Sequence, residues 1–69
     1  GKLLQLAHLE IEESRTVRGS NPKEGIEACR KILTEYGDTM YAKAARELLR
    51  KVPQKYKEEY GITDEELGL

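Results

Sequence analysis

Sixty-nine residues make one domain at most, and the charges nearly cancel, 12 Lys plus Arg against 13 Asp plus Glu for a net of −1. Charges mixed this evenly show no one-signed basic stripe of the kind a nucleic-acid binder presents, and no apolar run approaches the roughly 20 residues that cross a bilayer. One cysteine, Cys29, forbids an intrachain disulfide, and with His8 the lone histidine the chain has too few ligands for a zinc site.

A domain this short buries only about 60% of its unfolded surface. It therefore stands on well-formed helix packing or leans on neighbours. The first predicted helix runs from Lys2 to about Arg18. Leu4, Ala7 and Ile11 fall at helical spacing on one face, while Leu6 and Leu9 widen the apolar surface beyond it. A helix so apolar near its start contacts more than one neighbour. Its stretch from Leu3 to Leu9 is too short, and too broken by Gln5 and His8, to read as a signal peptide.

Gly19-Ser20-Asn21-Pro22 is a break. Asn21 is expected to cap the second helix with Pro22 at its first position, and Glu24 to reach back in a capping-box arrangement. The apolar stripe is Ile26, Cys29, Ile32, Leu33 and Tyr36, and Gly37 is expected to close the helix in the left-handed conformation. Asp38 or Thr39 caps a third helix with the stripe Tyr41, Ala44, Ala45, Leu48, Leu49 and Val52. Lys43, Arg46, Glu47, Arg50 and Lys51 take the other face. Pro53 stops it. A shorter helical stretch from Gln54 to Tyr60 follows, closed by Gly61, and Thr63-Asp64-Glu65-Glu66 reads as a capping box opening a terminal turn. No stretch alternates long enough for a strand. The expectation is an all-α antiparallel helical hairpin stack, three main helices plus a short C-terminal helix, as a single domain over residues 1–69.

The segment Gly25 to Val52 resembles part of a tetratricopeptide repeat array. Tyr36-Gly37-Asp38-Thr39-Met40-Tyr41-Ala42 is similar to the turn between repeats in the branch that includes the outer-membrane assembly lipoproteins and the periplasmic repeat proteins of the Tol–Pal system. Gly37 stands where that turn usually has proline. Gly25, Cys29 and Ile32 stand where the second helix of a repeat expects small, bulky and small residues, and Gly25 is the best match. The first helix lacks the family's Trp, Gly and Tyr signature. The resemblance implies one helix pair plus the first helix of the next repeat, within a longer array or as a small subunit held by partners, because one pair cannot bury its apolar face alone. It also implies the periplasm or cell envelope, although a single cysteine suits the cytosol equally.

Chemistry-bearing residues are sparse. His8 with Glu12 could present a ligand pair on one helix face, but a metal site wants at least three. Glu10, Glu12 and Glu13 read as a solvated face rather than an acid–base pair. Cys29 lies in the apolar stripe with no base near it in sequence, so it reads as core. Arg15, Arg18, Lys23, Arg30 and Lys31 could form a basic patch, diluted by acidic neighbours and without aromatics to stack bases. No cofactor is expected. The reading is a non-catalytic protein-interaction or scaffolding module, with an accessory subunit of a larger enzyme or membrane complex, or a helical nucleic-acid-binding domain, as alternatives. Its partner would be another protein or further repeats of the same chain. The expected contact residues are Tyr56 and Tyr60, whose amphipathic rings suit a half-wet interface, and Leu6 and Leu9, which the core stripe leaves over.

Overall fold

The computed structural model describes residues 2–17 and 19–69. Five helices follow in order, α1 Lys2–Thr16, α2 Lys23–Glu35, α3 Met40–Lys51, α4 Gln54–Glu59 and α5 Asp64–Leu67, with no strand among the described residues. α1 packs on both α2 and α3, α2 packs on α3, and α5 returns to α3. The result is an all-α stack of three main helices, a slab measuring 33 × 24 × 14 Å. The short helix expected from Gln54 to Tyr60 is α4, and the terminal turn expected to open at Thr63 is α5.

One cluster forms the core. α1 gives Ala7 and Ile11, α2 gives Ile26, Ala28, Cys29 and Ile32, and α3 gives Ala45, Leu48 and Leu49. Val52 and Leu67 close it. Two stripe assignments shift. Tyr41 is 54% exposed and Ala42 is buried in its stead. Tyr36 is exposed as well, and its ring meets that of Tyr41 across the turn, centroids 6.3 Å apart. A phenol buried there would need a hydrogen-bond partner, whereas at the rim water supplies one. α2 buries a wider arc than its large residues indicate, since Gly25 and Ala28 are covered too. It lies between two neighbours, and small residues let both come near.

Gly25 sits at the α1–α2 crossing. A methyl group there would lie 3.0 Å from Glu10 Cβ and 3.3 Å from the Ala7 carbonyl oxygen. Gly25→Ala should therefore lower stability even though alanine favours helix by about 1 kcal/mol. Overpacking of about 1–3 kcal/mol outweighs that gain, so urea denaturation should show a net loss of about 1 kcal/mol. A higher midpoint would mean that the two helices part freely.

The helix ends correct the expected capping. Asn21 Oδ1 accepts from the Lys23 N–H at 3.0 Å, so it does serve the start of α2 behind Pro22. Glu24 takes no part in that cap. The third free N–H, that of Gly25, donates instead to Glu10 Oε1 of α1 at 3.1 Å. Gly37 is not left-handed: among the described residues positive φ occurs at Gly19, Gly61 and Gly68. Tyr36 ends α2 with its N–H on the Ile32 carbonyl at 2.8 Å, and glycine is wanted at 37 because a Cβ would stand 2.9 Å from the Leu33 oxygen. Of the two candidate caps of α3, Thr39 is the one used, accepting from the Ala42 N–H at 3.4 Å. Val52 is extended before Pro53, as a residue preceding proline prefers.

The last two helices are too short to stand alone. α4 ends in a left-handed Gly61, with the Ile62 N–H on the Lys57 carbonyl and the Gly61 N–H on that of Glu58. α5 opens with the capping box expected at Thr63 and Glu66. Arg50 Nε donates to the Leu67 carbonyl at 2.6 Å, tying α5 to α3. Neighbouring Arg46 keeps its Nε buried without an acceptor among the described residues.

Candidate functional site

α1 has two unlike faces. Ala7 and Ile11 are fully buried, while Leu9, almost opposite them at 3.6 residues per turn, is 61% exposed and Leu6 is 39% exposed. Lys2 and Glu13 lie on the same outward face and are exposed. Hollows run along both sides of this ridge. One, of about 610 Å³, lies between α1 and α3 and is lined by Leu4, His8, Leu9, Ala44 and Leu48 among others. The second, also about 610 Å³, lies between α1 and the start of α2, with Leu6, Leu9, Glu13, Asn21 and Lys23 on its walls. Both are open; the first is mostly apolar, whereas the second is walled by two leucines and otherwise by polar or charged residues.

The two tyrosines are placed differently. Tyr56 and Tyr60 are half-buried and pack against the core. Their rings stack 6.4 Å apart, and the Tyr60 hydroxyl donates to Asn21 Oδ1 at 2.5 Å. Tyr60 thus joins the C-terminal segment to the turn before α2, while Leu6 and Leu9 remain outside.

Arg30 is not free for a phosphate. Its Nε donates to Glu66 Oε2 at 2.7 Å, and its Nη2 donates to Glu66 Oε1 at 3.2 Å and to the Tyr60 carbonyl at 2.8 Å. This guanidinium, with a smaller part from the Thr63 N–H, holds the Glu66 carboxyl below the usual carboxylate range against the opposing pull of burial. Arg15 pairs with Glu12 and Lys31 lies 3.9 Å from Glu35, while Arg18 lies outside the described residues. The cations named as a possible patch are thus mostly countered.

The acidic group fares similarly. Burial, then the nearby carboxylates of Glu24 and Glu13, raise the Glu10 carboxyl above its ordinary value, and the Gly25 N–H draws it back only in part. Its role is to cap α2. Glu12 faces Arg15 rather than His8. No three His, Cys, Asp or Glu side chains gather as metal ligands among the described residues. Cys29 is fully buried, and desolvation pushes its thiol up to about 12, so the nucleophilic thiolate is suppressed.

Two long-range contacts that hold these residues in place had no local sequence signal. The Glu10–Gly25 bond spans 15 positions and the Arg30–Glu66 pair spans 36. Glu66 could be read as a capping residue, but nothing in the spacing indicates its second partner. No family model, curated protein or solved structure matches the chain.

Proposed function

We propose that the chain is a non-catalytic helical interaction module of tetratricopeptide-like form, which scaffolds a larger assembly through the outward face of α1. One observation carries this reading: Leu6 and Leu9 stand exposed together on a helix whose opposite face already fills the core. Outward helix faces are ordinarily polar, and clustered apolar side chains in solvent mark a surface that another protein covers. The open hollows on either side of Leu9 would take that protein's side chains. The tetratricopeptide form is supported by the turn from Tyr36 to Ala42 and by the small residue Gly25 at the crossing of α1 and α2. An envelope location rests on that resemblance alone.

The test is site-specific photo-crosslinking in the source cells. A photoreactive residue at Leu9 should give protein adducts, and the same residue at Glu27, exposed on α2, should not. Absence of adducts from position 9, or equal yield from both positions, overturns the reading.

A further inference from the structure

We propose that the occupant of this ridge is a second copy of the chain, its α1 lying antiparallel to the first about a two-fold axis between Leu6 and Leu9. The inference rests on the proposed interaction role of α1 and names its partner. Lys2, Leu6, Leu9 and Glu13 fall within about 60° of one another at 3.6 residues per turn, and all four are exposed. Their spacing reads the same in both directions. Four positions separate Lys2 from Leu6, and four separate Leu9 from Glu13, but the charges at the two ends are opposite.

A two-fold axis at the midpoint sets Leu6 against Leu9 of the second copy, and Lys2 against Glu13 of the second copy, each contact occurring twice. Four leucines then make one apolar strip with a complementary ion pair at either end. Neither Lys2 nor Glu13 has an ion-pair partner of its own among the described residues. The field agrees with this register. Glu10 and Glu24 add negative charge beside Glu13. A parallel pairing would set like charge on like. With a net charge of −1 per chain, overall repulsion does not oppose the pair.

One helix face offers an interface at the small end of the range, so a dissociation constant of about 100 μM is expected. Sedimentation of the chain up to roughly 1 mM should show the mass rising toward that of two copies. Lys2→Glu and Glu13→Lys should each weaken association about tenfold, because symmetry turns two attractions into two repulsions. An equimolar mixture of the two variants, which restores both attractions, should associate like the parent chain, as should the double variant. Helical circular dichroism should be unchanged throughout, since both side chains are exposed. A single mass over the whole range, or failure of the mixture and the double variant to recover, overturns the proposal. Crosslinking at position 9 separates the two levels. Adducts only with a different protein remove the second copy and leave the interaction role standing, whereas no adduct at all removes both.

Discussion

Leu49→Ala is expected to remove a large part of the chain's stability and to lower its melting temperature more than Arg30→Ala or Gly25→Ala. Leu49 has no exposed surface and lies in the cluster joining all three main helices. Truncating such a leucine costs about 2–5 kcal/mol, the lost transfer energy plus the cavity that the surroundings fail to fill. Domains of this size hold roughly 3–10 kcal/mol in total, at about 0.05–0.15 kcal/mol per residue. The substitution thus removes a large part of the margin, and thermal melts followed by circular dichroism should show it directly. Lys43→Ala, on the exposed side of the same helix, should leave the melt within about 0.5 kcal/mol of the parent. Equal tolerance at both positions would mean that the buried face of α3 is misplaced.

Arg30→Ala should have the next largest effect, and a different signature. Three hydrogen bonds are lost together, two to Glu66 and one to the Tyr60 carbonyl. Charge-assisted bonds of this kind carry about 1.5–3 kcal/mol, but the Arg30 and Glu66 side chains are 36% and 25% exposed, so water screens part of it and a loss of about 1–2 kcal/mol is expected. The damage should be local. Hydrogen exchange in α4 and α5 should speed up more than in α1 to α3, because Arg30 links α2 to that segment.

The pH dependence sharpens this prediction. Arg30 depresses the folded-state carboxyl of Glu66, so its contribution is fully present above the unfolded value of about 4.3 and is lost as pH falls through the lower folded value. The gap in melting temperature between parent and Arg30→Ala should therefore be widest near neutrality and close under acid. Glu10 acts in the opposite sense. Its folded value is raised, so its contribution is present at low pH and is lost as pH rises through that value. A gap that widens as pH falls below 4 would contradict the assignment of Arg30 as the main cause of the Glu66 shift.

Helix number and punctuation were legible because they depend on nearest neighbours along the chain. Pro53 cannot continue a helix, Thr63 and Glu66 satisfy each other within one turn, and Gly61 takes the left-handed conformation that closes α4. The core face of α3 was legible less fully. Periodicity put Tyr41 in the stripe, whereas Ala42 is the buried residue and the Tyr41 ring meets that of Tyr36 at the rim, a tertiary matter that spacing does not carry. Gly37 misled for a related reason: its value lies in leaving room beside the Leu33 carbonyl, not in a left-handed backbone. Leu6 and Leu9 could be picked out as the apolar residues that the core stripe of α1 does not use. Their common ridge with Lys2 and Glu13 required knowing which side of α1 meets α2 and α3.

Cys29 gives the fold a chemical clock of its own. It is the sole sulfhydryl, it has no exposed surface, and its setting disfavours the reactive anion. A thiol reagent can reach it only when the helices separate. The pace of modification therefore counts openings of the native protein, without any label having been engineered into it.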